Sequence, residues 1–290
     1  MYNTIHLTMA VCTRVPAVRE NDIAGNWTSQ VITLLERLQE TQGKAISEAA
    51  EWSAEAIADD GFVHMFGSGH SRIAVEEMFP RYGSFPGFNP MVELSTTFHT
   101  QIVGSNGQRQ AMFIENVSGL AEAILANFAF RPNDVMLVFS VSGTSAVAVE
   151  LTQIAQRRGL RTIAVTSVAH SESSKSKIGI RLKDIADLVI DIGTPPGDAL
   201  VEIPGLEYRV GPGSTALIVA VANEIKVQTA EQLVKRGIHP PVLTGPMVIG
   251  SERSAQLFDA AYDDHARRLA YALGSVGDIR NEINEQKPTP

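Results

Sequence analysis

Two short stretches of small and hydroxyl-bearing residues follow apolar runs in this sequence. The first stretch directly follows GFVHMF at 61–66 and consists of Gly67, Ser68, Gly69, His70 and Ser71. Glycines at such a place let the backbone approach a ligand, while hydroxyls and helix N-terminal N–H groups bind anions. The stretch is therefore a candidate anion-binding loop, although a tight strand-to-helix turn has the same composition.

The second stretch repeats this arrangement about seventy residues later. It follows DVMLVF at 134–139 and contains Ser140, Ser142, Gly143, Thr144 and Ser145. Ligands of an open parallel sheet bind beyond the carboxyl ends of its strands, which is where both stretches would lie. Two matching stretches at one sheet edge favour an anion or sugar site more than either stretch alone.

Carboxylates and a histidine are candidates for proton transfer at this site. Glu76 and Glu77 follow the first stretch, but neighbouring residues on a helix diverge by about 100°, so at most one of them faces the site. Glu115 lies between the two stretches, and Glu224 and His239 lie within and after a later helical segment. For each of these residues, the alternative to a catalytic role is that of a surface charge or an ion-pair partner.

The helix pattern predicts burial for one of these carboxylates. Glu224 shares a helix face with Leu217 and Val221, and burial would raise its pKa towards the value that a general base needs. Two basic residues after the strand predicted at 160–167, Lys175 and Lys177, are interpreted as part of a solvated loop.

Apolar spacing along the chain predicts the elements that would hold these residues. The predicted helices cover 27–60, 71–79, 119–128, 146–158, 214–235 and 254–273. The predicted strands cover 61–66, 134–139, 160–167 and 186–193, with 88–95 as a further candidate. Strands that alternate with helices predict an α/β fold, a three-layer doubly wound sandwich whose parallel sheet is covered on both faces and carries the N-terminal helices.

Several boundaries stay open at this level. Gly43 leaves either one bent helix or two helices within 27–60, and Ser214 is the expected N-cap of the helix at 214–235. The Pro- and Gly-rich stretch 193–214 is predicted to be a functional loop. We expect an N-terminal arm at 1–26, one domain at 27–273 and a disordered tail at 274–290.

The composition excludes several function classes. The formal net charge of -8 argues against a nucleic-acid-binding surface. Cys12 is the single cysteine, so neither an intrachain disulfide nor a cysteine metal cluster is expected, and the histidines lack metal-ligand spacing. Apolar runs shorter than about 20 residues and the absence of a basic leader region predict a cytoplasmic protein that neither crosses nor binds a membrane.

The two stretches together carry a family resemblance. SVSGTS after VMLVF, preceded by MFGSGHS, resembles the sugar isomerase (SIS) domain family over about residues 28–268. The family pattern is Ser, any residue, Ser, Gly, any residue, Thr, and Ser145 keeps the hydroxyl at the last position. The stretches VTSVAHSES and IGTPPGDALVEIPGL look most like its single-domain branch. The resemblance implies a doubly wound phosphosugar-binding domain in which the second stretch holds the phosphate.

Two members of that family imply different acid–base residues. An etherase that acts on N-acetylmuramate 6-phosphate is similar around Glu76 or Glu77 and Glu115. The isomerase domain of glucosamine 6-phosphate synthase is similar around Glu224, as base, and His239, as the ring-opening acid. The resemblance thus implies an aldose-ketose isomerase that uses an enediol and no cofactor or metal. A phosphosugar lyase and a non-catalytic phosphosugar sensor are the alternatives, and homodimers or homotetramers with shared sites are expected.

Overall fold

A computed structural model describes residue 23 and residues 25–97 and 107–274 of the chain. The arm predicted at 1–26 and the tail predicted at 274–290 lie almost entirely outside the described residues. Both therefore stay predictions, as does the single domain assigned to 27–273.

Five parallel strands form the central sheet in the order β2-β1-β3-β4-β5. In chain order, the strands are β1 Val63–Gly67, β2 Phe88–Met91, β3 Val135–Phe139, β4 Arg161–Thr166 and β5 Leu188–Asp191. β1 lies between β2 and β3, and its pairing with β3 runs from Val63 opposite Val135 to Gly67 opposite Phe139. This sheet confirms the predicted doubly wound α/β fold.

Helices and short 3-10 turns account for most of the other described residues. The helices are α1 Asn26–Ala58, α2 Arg72–Met78, α3 Gly107–Ile114, α4 Leu120–Leu125, α5 Ala146–Arg157, α6 Val168–Ser173, α7 Leu182–Ile185, α8 Ser214–Lys235, α9 Pro246–Ile249 and α10 Ser251–Gly274. The 3-10 turns are Gly69–Ser71 and Leu94–Thr96. A separate antiparallel pair consists of β6 Ala199–Val201 and β7 Val210–Pro212.

Alternate residues of each strand enter different cores. Val135 and Leu137 of β3 belong to the core shared with α1, α2 and α8, whereas Met136 and Val138 belong to the core shared with α4 and α5. Successive side chains of a strand point to opposite faces, and both faces are covered here. This is why β3 is apolar throughout rather than alternating.

Three local predictions change in the structure. α1 continues through Gly43, so the N-terminal segment is one helix. Residues 193–214, predicted to be an irregular loop, contain the β6–β7 pair, because Pro and Gly obscured the strand pattern. The predicted N-cap at Ser214 is wrong: Asp198 accepts hydrogen bonds from the amides of Gly213 at 3.2 Å and Ser214 at 2.8 Å, and the Ser214 hydroxyl donates to the same carboxylate.

A buried polar cluster connects the neighbouring strands β2, β1 and β3. Asp134 accepts hydrogen bonds from the amides of Phe62 at 2.7 Å and Arg131 at 2.8 Å, and from Nε2 of His64 at 3.0 Å. The Asn89 amide donates to Nδ1 of the same imidazole at 2.9 Å. The cluster satisfies polar groups that would otherwise be costly to bury.

Replacement of Asp134 with alanine leaves three buried donors without an acceptor. We expect Asp134→Ala to lower the free energy of unfolding by about 3–5 kcal/mol, measured by urea denaturation. Asp59→Ala is the matched control, because Asp59 is exposed and accepts from the Asn133 side chain; its loss should stay below about 1 kcal/mol. Equal losses in the two variants would contradict the structural role of Asp134.

Candidate functional site at the carboxyl edge of the sheet

The two predicted loops begin side by side at the carboxyl edge of the sheet, at the position where a doubly wound sheet forms its ligand-binding crevice. The first loop (residues 67–71) follows β1 and the second loop (residues 140–145) follows β3, and these strands are neighbours whose last residues pair. The helices after the two loops pack on opposite faces of the sheet, α2 beside α8 and α5 beside α4. Crevices between diverging connections of this kind are where doubly wound sheets bind ligands.

The first loop folds back on itself tightly. A Cβ atom on Gly67 would lie 2.6 Å from the carbonyl oxygen of Ser71, so only glycine permits this path. The amide of Ser71 donates to the carbonyl of Ser68 at 3.1 Å, which closes the 3-10 turn Gly69–Ser71. His70 lies in that turn with its side chain exposed. The predicted helix at 71–79 thus begins with a 3-10 turn, followed by the seven residues of α2.

The second loop is largely buried and lined with hydroxyls. The hydroxyl of Ser140 accepts a hydrogen bond from the amide of Gly143 at 3.2 Å, and the hydroxyl of Thr144 donates to that of Ser142 at 3.2 Å. Gly143 has a φ of 59°, and a Cβ atom there would lie 3.0 Å from Oγ1 of Thr166. Its glycine identity therefore preserves both the backbone turn and the close packing behind it.

Ser145 ends the second loop at the N-terminus of α5. Its side chain is 5% exposed, and its hydroxyl finds no hydrogen-bond partner among the described residues. A buried hydroxyl without a partner costs about 1–3 kcal/mol. The N-terminus of this twelve-residue helix carries N–H groups without intrahelical acceptors and a partial positive charge. The hydroxyl and the helix end together suit an anionic acceptor.

Glu115 connects both walls of the crevice. Its carboxylate accepts a hydrogen bond from the hydroxyl of Ser68 in the first loop at 2.6 Å. Its carbonyl accepts from the amide of Val147, in the first turn of α5, at 2.9 Å. Burial raises the pKa of the Glu115 carboxyl, and the hydrogen bond from Ser68 opposes this effect only in part. The structure therefore holds a carboxyl with a raised pKa between the two loops.

The two glutamates of α2 have other partners. Glu76 is exposed and forms an ion pair with Arg72 at 3.2 Å. Burial acts to raise the pKa of Glu77, but the hydrogen bonds from Asn223, at 2.9 Å, and from Arg81 outweigh it and lower the pKa below its ordinary value. These partners lie on α2, on α8 and in the turn after α2. Among the described residues, neither carboxylate is hydrogen-bonded to either loop.

The expected burial of Glu224 is wrong. The buried stripe of α8 is centred near Ile225, and one residue along a helix turns the side chain by about 100°. Glu224 is therefore exposed, accepts a hydrogen bond from Gln228 at 3.3 Å and lines a groove between α1 and α8. His239 lies beyond the end of α8 and is also exposed. The catalytic roles expected for Glu224 and His239 stay predictions.

A basic segment that the sequence pattern did not predict at the site packs behind the second loop. The amide of Leu182 donates to the carbonyl of Gly143 at 2.8 Å, and the amide of Lys177 donates to that of Thr144 at 3.5 Å. The segment interpreted as a solvated loop thus supports the second loop. Its sequence, SKSKIGIRLK, concentrates basic residues in an acidic chain, and that concentration was the available signal.

Within 25–97 and 107–274, no three His, Cys, Asp or Glu side chains group closely enough to hold a metal ion. In the same part of the chain, no helix is both long and apolar enough to cross a membrane.

Comparison with known proteins identifies the family. Residues 26–167, which include both loops, match the family model of the SIS domain. A UPF0309 protein of Listeria monocytogenes is 30% identical over 250 residues, which are 86% of this chain and 99% of that relative. This chain belongs to the UPF0309 family. A second UPF0309 protein, from Streptomyces griseus, is 32% identical over 233 residues, which are 80% of this chain and 91% of the relative.

The SIS match confirms the family resemblance seen in the two loops. A solved structure with a similar fold is the phosphoheptose isomerase of Neisseria gonorrhoeae. It is 15% identical, covers 70% of this UPF0309 chain and 92% of its own, and has a TM-score of 0.45.

The raised pKa of Glu115 predicts a pH-dependent stability. Because the folded UPF0309 protein binds this proton more tightly than the unfolded chain, stability falls as the pH rises from the ordinary value of 4.5 through the raised pKa, and the loss persists at neutral pH. Glu115→Gln removes the charge and keeps an oxygen that accepts from Ser68. We expect its Tm to exceed that of the unmodified protein by a few degrees near pH 8, and this difference to shrink towards pH 4.5.

Thermal unfolding of both proteins across this pH range checks the prediction. Glu76→Gln is the control, because Glu76 is exposed, and its Tm should follow that of the unmodified protein. A lower Tm for Glu115→Gln near pH 8 would contradict the burial argument.

Proposed function

We propose that this UPF0309 protein binds a sugar phosphate in the crevice between the two loops and catalyses aldose-ketose isomerisation through an enediol. One observation carries the proposal: Glu115, whose pKa is raised, is hydrogen-bonded to the first loop through its side chain and to the start of α5 through its backbone. A proton-transfer group thus adjoins both loops of an SIS domain.

The phosphate is held by the second loop. The hydroxyls of Ser140, Ser142, Thr144 and Ser145 lie in the loop that leads into α5, and three of these side chains are already hydrogen-bonded within the loop. The buried hydroxyl of Ser145 supplies a donor that the protein itself leaves unused. Hydrogen bonds to a charged phosphate are shorter and stronger than neutral ones, so the loop selects a phosphate ester over an uncharged sugar.

Glu115 performs the proton transfer. As a carboxylate, it removes the proton from the carbon next to the sugar carbonyl, and it returns that proton to the neighbouring carbon of the enediol. A second proton moves through solvent from the hydroxyl oxygen of the first carbon to the former carbonyl oxygen. A pKa closer to neutrality makes the same group competent in both directions. His70 and Ser68 of the first loop lie on the sugar side of this arrangement, with His70 exposed towards the solvent.

A phosphosugar lyase is the second candidate, because Glu115 is one of the residues for which the etherase resemblance implies catalysis. Elimination needs a base for the proton and an acid for the leaving group. The other carboxylates of that resemblance, Glu76 and Glu77, are bound to Arg72, Asn223 and Arg81 rather than to either loop. A single carboxyl can shuttle one proton in isomerisation, so the placement favours the isomerase.

The proposal includes assembly into a homodimer or homotetramer. Glu224 and His239 are exposed on one protomer, so a second copy would have to bury them for either residue to act in a shared site. A non-catalytic sensor would keep the phosphate contacts and lack turnover.

Ser145→Ala separates ligand binding from folding. The variant loses no hydrogen bond recorded within the described residues and removes a buried hydroxyl without a partner, so we expect its Tm without ligand to equal or exceed that of the unmodified protein. Its affinity for inorganic phosphate, measured by isothermal titration calorimetry, should fall about tenfold or more, because a hydrogen bond to a charged group contributes about 1.5–3 kcal/mol.

Ser53→Ala is the control for this comparison. Ser53 is buried in α1, and its hydroxyl donates to the carbonyl of Ala49 at 2.7 Å, so its loss should leave phosphate affinity unchanged. Unaltered affinity in Ser145→Ala would argue against the second loop as the phosphate site.

Glu115→Gln tests the chemistry. With sugar phosphates that raise the Tm of the protein, we expect the unmodified enzyme to exchange a carbon-bound hydrogen with solvent deuterium, observed by NMR. Glu115→Gln should slow this exchange by at least about 100-fold with little change in affinity. Glu224→Gln is the matched replacement, and it tests the competing assignment of the base.

Each result of this experiment has a separate meaning. Loss of exchange in Glu224→Gln but not in Glu115→Gln would transfer the role of base to Glu224. Release of a leaving group from the sugar would establish the lyase. Binding without exchange across hexose, heptose and amino-sugar phosphates would establish a sensor.

A further inference from the structure

In one segment of this acidic protein, every charged side chain is basic. Residues 174–183, named the basic strap, contain four basic side chains and no acidic one, while the whole chain has a formal net charge of -8. The basic residues are Lys175, Lys177, Arg181 and Lys183. The strap lies between α6 and the start of α7.

Backbone hydrogen bonds hold the strap against the second loop. The amide of Leu182 donates to the carbonyl of Gly143 at 2.8 Å, and the amide of Lys177 donates to the carbonyl of Thr144 at 3.5 Å. Arg181 donates from Nε and from its terminal nitrogen to two backbone carbonyls at the end of α6, at 3.0 and 3.2 Å. These bonds fix the strap beside the loop for which we propose phosphate binding.

The lysines of the strap differ in whether they form ion pairs. Lys183 forms ion pairs with Glu172 at 3.4 Å and Asp184 at 2.8 Å. Lys175 and Lys177 are exposed, and neither forms an ion pair with any residue that the structure describes. Of these two lysines, Lys177 is the one whose backbone is bonded to the second loop. The donors of that loop are neutral hydroxyls and amides.

We propose that Lys177 is a further phosphate-binding residue, whose ammonium group reaches over the second loop and pairs with the bound phosphate. This inference rests on the proposed function. A lysine has a flexible four-carbon stem that allows such a movement from a fixed backbone. It adds a positive charge to a neutral set of donors, which strengthens binding of a phosphate dianion and makes that binding depend on salt.

Lys177→Met tests the inference, with Lys175→Met as the matched control. Both residues are exposed lysines of the basic strap, and only Lys177 is bonded to the second loop. Isothermal titration calorimetry with inorganic phosphate should show about tenfold weaker binding for Lys177→Met. Lys175→Met should stay within about twofold, since a more distant exposed charge is screened. Lys177→Arg should retain most of the affinity.

The salt dependence gives an independent readout. Raising the salt concentration should weaken phosphate binding by a larger factor in the unmodified protein than in Lys177→Met, because the variant lacks the ion pair. Tm measurements without ligand should match for all variants, which separates loss of a contact from loss of folding.

The outcomes distinguish this inference from the function on which it rests. Undiminished affinity in a folded Lys177→Met, or equal losses in the two methionine variants, would overturn the role of Lys177. If affinity then still fell in the Ser142→Ala, Ser145→Ala double variant, the phosphate site itself would stand. If the unmodified protein bound neither inorganic phosphate nor any sugar phosphate, both the proposed function and this inference would fall.

Discussion

The pairing of β1 with β3 is the constraint on which the rest of the site depends. These strands end level with each other, with Gly67 opposite Phe139, at the spacing of about 5 Å that separates neighbouring strands. Their crossover helices, α2 and α5, pack on opposite faces of the sheet. The two loops therefore begin side by side and then diverge, which opens a crevice without any special loop insertion. A different strand order would have separated them.

Two partly buried carboxylates, Glu77 and Glu115, show how environment sets the pKa of a side chain. Glu77 is partly buried, but Asn223 and Arg81 stabilise its charged form, so its pKa is lowered. Glu115 has a neutral hydroxyl as its hydrogen-bond partner, and burial raises its pKa. The first carboxylate is suited to hold α2 against α8, and the second to exchange a proton. Burial acts in the same direction on both, and the hydrogen bonds from Asn223 and Arg81 to Glu77 make the difference.

The two ends of the sheet differ in whether their buried polar groups have hydrogen-bond partners. Near the amino ends of the strands, Asp134 and His64 form a buried cluster whose polar groups satisfy one another. At the carboxyl ends, the hydroxyl of Ser145 is buried without a partner among the described residues. A protein tolerates the cost of such a group where a ligand offsets it. The neutral loop and the adjacent basic strap (residues 174–183) also explain how an acidic chain could receive an anion.

Local patterns in the sequence determined the α/β class, the strands of the main sheet and the two loops, because buried parallel strands are continuous apolar runs and small residues punctuate their ends. The tertiary structure alone decided which charged residues reach the crevice. Glu115 meets Ser68 across 47 positions of the chain, and the backbone amide of Lys177 meets Thr144 across two complete helices and a strand. Glu224 is exposed because packing sets the rotation of α8, and a displacement of one residue moves a side chain by about 100°. Such juxtapositions depend on the packing of distant segments, which no local spacing of residues encodes.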